Sequence, residues 1–182
     1  AFKLSVSGLK GGHSGLDINL GRGNANKILF RFLKHAQKEH RLRIAFVDGG
    51  SLRNAIPREA WAIVLVPENQ AEKLGKCLDY MAGVYKKELS VTEPNFSFTC
   101  VPSDLPLSVI DRDTQYMLIN AIYACPNGVI RMSDAMPGLV ETSTNLASVK
   151  MKDGRIVISG LLRSAVDSSK DDLGVMMGSG FE

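Results

Sequence analysis

The sequence predicts an α+β fold: a ferredoxin-like β-α-β-β-α-β unit, an antiparallel sheet with both helices on one face, followed by a second, similar α+β unit that stops one strand short. Three observations carry that expectation. Apolar residues alternate with period two over residues 2–6 and 96–101 and run almost unbroken over 60–66, the patterns of strands. They return at helical spacing at Ile28, Leu29, Phe32, Leu33 and Ala36, and again at Leu74, Leu78, Met81 and Tyr85. Strands and helices interleave in the order the split-βαβ arrangement requires, within residues 1–102, and residues 103–182 form the second part.

Each element has its local reason. After the first strand, Gly8, Gly11, Gly12 and Gly15 punctuate a loop that carries His13. The first helix spans 24–39, with Lys27, Arg31, Lys34 and Lys38 expected to face water. Residues 42–47 read as the second strand, Asp48-Gly49-Gly50 as a turn, and 60–66 as a central or doubly covered third strand. Asn69 is the expected N-cap of the second helix, which reaches about residue 88. Beyond Pro102, Asp111 is an N-cap for a helix ended by Pro126-Asn127-Gly128, and 129–132 read as a short strand. Residues 146–151 and 155–162 flank Lys152-Asp153-Gly154, whose Asp-Gly pair supplies the positive φ angles of a tight hairpin. Ser168 with Asp171 resembles a capping box for a last helix starting near Ser169. The two halves share no evident residue identity, so any repeat is architectural.

Composition bounds the function. With 182 residues, 45% hydrophobic and 23% charged, the chain has the profile of a soluble globular protein, and disorder, collagen and coiled coil are excluded. Apolar runs fall far short of the ~20 residues that span a bilayer, so no membrane partner is expected. A net charge of +3, dispersed in sequence, makes no phosphate-binding stripe, so no nucleic-acid partner is expected. Cys77, Cys100 and Cys125 are odd in number and lack metal-type spacing, which reads as free thiols in a reducing compartment, the cytoplasm. The chain opens at Ala1 on a strand already under way and closes over residues 178–182 on no completed element, so we expect an excised domain.

Few residues offer chemistry. His35 and His40 are expected on the surface of the first helix, and no zincin motif, phosphate-binding loop or nucleophile elbow occurs. No metal ligand is assigned. His13 stands apart because glycines leave its imidazole unobstructed at a strand end, where it could donate to a developing oxyanion; a polar residue in a Gly-rich turn by chance is the plain alternative. Asn54 could bond substrate or close an Asx-turn. Arg163 could grip a carboxylate with two parallel hydrogen bonds or simply reach water. The polar run 141–145 could line a cleft or form a loop before a strand.

Residues 8–18 (Gly-Leu-Lys-Gly-Gly-His-Ser-Gly-Leu-Asp-Ile) with 21–27 (Gly-Arg-Gly-Asn-Ala-Asn-Lys) closely resemble the start of the lid domain of bacterial aminoacyl-histidine dipeptidases, the cytosol non-specific dipeptidase family. Residues 51–57 (Ser-Leu-Arg-Asn-Ala-Ile-Pro) are similar to that family's asparagine segment, and 132–134 with 138–147 to its later signature. The resemblance implies a lid, or dimerisation, domain inserted in a catalytic domain that holds two zinc ions and is absent from this chain. It also implies that the zinc ligands and general base lie in that catalytic domain, leaving no metal bound by this chain alone. By the same resemblance His13 stabilises the tetrahedral intermediate, Asn54 contacts substrate and Arg163 grips the substrate carboxylate. Implied partners are a dipeptide, Xaa-His among them, and a second subunit in a homodimer, to whose active site the lid can present its histidine. From the residues alone, a stand-alone ferredoxin-like binding module and a purely structural dimerisation domain stay open.

Overall fold

The computed structural model describes residues 1–181. Its main sheet is built from β1 (Phe2–Ser7), β3 (Arg43–Gly49), β5 (Ala60–Leu65), β6 (Ser97–Pro102), β7 (Gly128–Met132), β8 (Val140–Lys152) and β9 (Arg155–Ser164). Two short strands, β2 (Gly12–His13) and β4 (Ala55–Ile56), pair separately with each other. The helices are α1 (Ala25–Glu39), α2 (Ala71–Glu88), α3 (Arg112–Ala124) and α4 (Asp167–Ser179), with a 3₁₀ turn at Glu68–Gln70.

The first part has the ferredoxin-like strand order β6-β1-β5-β3, every pair antiparallel. Alternation along β1 and β5 sends Leu4, Val6, Ala62 and Val64 inward, all at most 1% exposed. Onto them α1 lays Leu29, Phe30, Phe32, Leu33 and Ala36, each 0% exposed, and α2 adds Leu74, Leu78 and Tyr85. Burying one such leucine or phenylalanine fully is worth about 1.5–3 kcal/mol, so this shared face carries most of the stability. Phe32 and Phe98 meet edge to face at 5.3 Å, locking α1 to β6.

After Pro102 the strands extend the same sheet. β8 pairs with β3 through Asp48 and Gly49, reinforced by a Lys150–Asp48 ion pair at 2.6 Å, while β7 and β9 pair with β8. The β8–β9 hairpin turns where the sequence predicts, with Asp153 at φ 50° and Gly154 at φ 72°. α3 packs against α1 and β3, and α4 against β9.

Local details differ from the sequence reading. The basic face of α1 is not simply solvated: Lys27 Nζ donates to the carbonyls of Ile122, Tyr123 and Cys125 at 2.7–2.8 Å, closing the C-terminus of α3. Burial there lowers the Lys27 pKa. Lys34 donates to Asn120, and Arg31 pairs with Glu88 at 2.6 Å. His40 is 8% exposed rather than on the surface, its Nδ1 3.3 Å from Gln70 Oε1, because the chain after α1 folds it against the 3₁₀ turn. Asn24 and Asp111 cap α1 and α3 as expected. Asn69 does not cap α2, since the 3₁₀ turn after Pro67 shifts that position to Gln70. Ser168 lies inside α4, which starts two residues earlier than expected, at Asp167. Among the described residues no helix is long and apolar enough to cross a membrane.

Candidate functional site

The glycine loop after β1 is held at both ends by one buried carboxylate. Glu93, 1% exposed, accepts from the Lys10 amide at 2.7 Å and from the Gly23 amide at 2.9 Å. Inside the loop the His13 amide donates to Asp17 Oδ2 at 2.8 Å, Asp17 pairs with Arg22 at 3.2 Å, and Arg22 donates to the Gly11 carbonyl. The loop is therefore a stapled structure and not a flexible tether. Its short strand β2 places His13 opposite Ala55 of β4, and the Ser14 amide donates to the Asn54 carbonyl at 2.9 Å.

The loop also orients the imidazole. Two backbone amides, those of Gly15 and Leu16, donate to His13 Nδ1 at 3.2 and 3.1 Å. With Nδ1 an acceptor twice over, the proton of the neutral ring sits on Nε2, which is left as a donor. Arg163, near the end of β9, comes up beside it. A Cβ on Gly15 would meet His13 Cε1 at 3.1 Å and Arg163 Nε at 3.2 Å, so the imidazole and the guanidinium flank one bare glycine. Any side chain at position 15 would push them apart.

Of the three residues singled out by sequence, His13 and Arg163 meet across Gly15, and Asn54, just before β4, is tied to the same loop through its backbone carbonyl. Asn54 sits in a turn closed by the Ala55 amide on the Leu52 carbonyl, and its side chain is exposed. Arg163 is exposed and, among the described residues, paired with no carboxylate.

The run 141–145 neither lines a cleft nor forms a loop. It is the first half of β8, and Thr142, Ser143, Thr144 and Asn145 are 0–3% exposed. Sequence reasoning missed what it does. Asn145 Nδ2 donates to the Ala55 carbonyl at 2.8 Å, and Asn24 Nδ2 donates to Asn127 Oδ1 at 2.9 Å and to the Leu146 carbonyl at 3.0 Å. Asn127 Oδ1 also accepts from the Leu146 amide at 2.9 Å. This buried amide network ties the β4 turn, which carries Asn54, to α1 and β8. The signal available was a strand-length polar run whose hydroxyls and amide can all bond within a sheet.

Chemically the site offers donors: an Nε2–H, a guanidinium and an exposed amide. Such a set suits a resident or developing negative charge on oxygen. It holds no nucleophile paired with a base. Among the described residues no group of three or more His, Cys, Asp or Glu side chains could hold a metal ion, so a zinc centre does not fit this chain's own residues. The three cysteines are free thiols, and burial raises their pKa values, that of Cys100 to about 11, which makes them inert and unsuited to nucleophilic duty.

Known proteins share this architecture. Residues 4–93 match the family model described as Peptidase dimerisation domain. The cytosol non-specific dipeptidase of Escherichia coli (strain K12) is 45% identical over 173 residues, covering 93% of this chain and 35% of that protein. The crystal structure of aminoacylhistidine dipeptidase from Vibrio alginolyticus superposes with a TM-score of 0.94 at 41% identity, covering 99% of this chain and 37% of that one. The chain therefore spans a little over a third of the length of these relatives. The ferredoxin-like half and these likenesses agree: residues 4–93 of the chain form a peptidase dimerisation domain.

Proposed function

We propose that this chain is the lid and dimerisation domain of a cytoplasmic dipeptidase, closing over dipeptides, Xaa-His among them, that a catalytic domain outside the chain hydrolyses. The observation that carries the reading is the double acceptance at His13 Nδ1, which leaves Nε2–H as a fixed donor beside the Arg163 guanidinium. A peptide bond under attack develops an oxyanion, and a dipeptide keeps a free carboxylate close to that bond. Nε2–H of His13 meets the first, Arg163 grips the second through parallel N–H donors, and the Asn54 amide contacts the substrate between them. Two zinc ions held by residues outside the chain would supply the activated water. This chain's residues bind and orient; they do not generate the nucleophile.

The same reading makes the dimerisation domain a contact between two copies of the protein, so that His13 can serve its own or the neighbouring subunit's site. On this reading residues 1–102 are the first, ferredoxin-like half of the lid domain and 103–182 its second α+β half.

The test uses the protein extended on both sides to the length of its relatives. Arg163→Lys keeps the charge but loses the fork, so kcat/KM for a dipeptide should fall about tenfold or more, mostly through KM. For the same dipeptide with its C-terminus amidated, the substitution should change little. Equal discrimination between acid and amide in both proteins would remove Arg163 from carboxylate binding.

A further inference from the structure

At the other end of α1, about 22 Å of helix from the amide network, lies a cavity of about 960 Å³. Its walls come from α1 and the residues after it (Lys34, Lys38, Arg41), the first residue of β3 (Arg43), the end of β5 and the first turn of α3 (Arg112, Tyr116). Five cationic side chains face this one space and no carboxylate lines it. Among the described residues none of the five forms an ion pair, although the chain as a whole carries only +3. Like charges brought together without counter-charges repel one another, and a fold keeps such an arrangement at a cost in stability.

Two further observations show that the arrangement is built into the fold. Arg41 follows the α1 cap with φ at 53°, the left-handed region where glycine is the easy residue, yet an arginine stands there. Arg43 is fixed by donating Nη2 to the Ile110 carbonyl at 2.6 Å, while its Nε is buried without a hydrogen-bond partner. An uncompensated buried guanidinium N–H adds to the positive potential of the adjoining cavity, which an anion there would offset. Beside the cations, Leu42, Leu65, Val66 and Pro67 supply an apolar wall, and the cavity has the size of a small-molecule site.

We propose that this cavity binds a small molecule bearing two or more phosphate groups, with the arginines forking the phosphate oxygens and the lysines neutralising the remaining charge. Guanidinium groups match phosphate geometry, and a polyphosphate satisfies several converging cations at once where a single carboxylate satisfies one or two. The site does not depend on the dipeptidase reading, since none of its residues belongs to the His13 site.

Inorganic triphosphate titrated calorimetrically into the 182-residue chain at low salt is the test. The expected result is saturable one-to-one binding, weakened about tenfold or more by Arg41→Gly and by Arg112→Gln, and progressively weakened by sodium chloride. Arg41→Gly relieves the left-handed backbone, so its melting temperature should hold or rise while binding falls. Lys86→Gln, on the exposed C-terminal turn of α2, should leave binding unchanged. Absence of saturation at millimolar triphosphate overturns the proposal. So does an equal loss with Lys86→Gln, which would mean diffuse charge attraction, or tighter binding of a short glutamate oligomer, which would make the cavity a dock for an acidic peptide.

Discussion

Replacing His13 by alanine in the protein extended to the length of its relatives is expected to lower kcat for dipeptide hydrolysis by about 10²–10³-fold, the usual loss when one oxyanion donor is removed. The expectation follows from the loop. The Gly15 and Leu16 amides hold Nδ1 as an acceptor, so Nε2–H is presented ready to donate before any substrate arrives and needs no reorganisation during the reaction. KM should change less than kcat, because the charge that Nε2–H meets exists only in the transition state. His13→Gln places an amide donor near the same position and should recover part of the rate, which a merely structural histidine would not show. The oligomeric state, measured by light scattering, should be unchanged in both variants. Full activity in His13→Ala would assign the loop a structural role in dimerisation alone.

The second large effect falls on Asn145, a residue that touches no substrate in this account. Asn145→Leu keeps the volume but removes the donor to the Ala55 carbonyl and an acceptor facing Asn24. Leaving this part-buried carbonyl without its donor costs about 1–2 kcal/mol, which lowers the melting temperature of a chain this size by roughly 2–8 °C. The neighbouring Thr144→Val loses only a hydroxyl–thioether contact to Met177 Sδ at 3.2 Å, so its melting temperature should move far less. In the extended protein Asn145→Leu should also reduce turnover, because the freed turn carries Asn54 and pairs with the strand bearing His13. An unchanged melting temperature with Asn145→Leu would show that the amide network does not hold the β4 turn.

What could be read from the sequence follows the physics of each level. Elements with a strong apolar period, such as β1, α1 and α2, stand within one to three residues of where the pattern puts them, because one face had to be buried. The Asp153-Gly154 turn was legible because only residues tolerant of positive φ can make it. The start of β8 was not, since Thr142, Ser143, Thr144 and Asn145 look like solvent-facing residues, whereas Thr142, Thr144 and Asn145 find side-chain partners inside the sheet or against the next layer. The continuity of the sheet across β3 and β8 rests on a two-residue pairing far apart in sequence, which no local pattern reports. For the same reason Lys27 looked like a solvated lysine, whereas its real partners are three carbonyls at the end of a helix nearly a hundred residues away. At the site, His13 was visible as an imidazole among glycines and Arg163 as a cation closing an apolar strand. Their meeting across Gly15, and the Glu93 carboxylate that staples the loop, are products of tertiary structure.

On the proposed function, these residues supply donors to chemistry performed by another part of the protein. The most direct measurement is hydrolysis of a Xaa-His dipeptide with added zinc by this chain and by the same polypeptide extended on both sides to the length of its relatives. Turnover only by the extended protein is the expected result. Turnover by the 182 residues alone would contradict the claim, because it would require a nucleophile-generating centre within this chain.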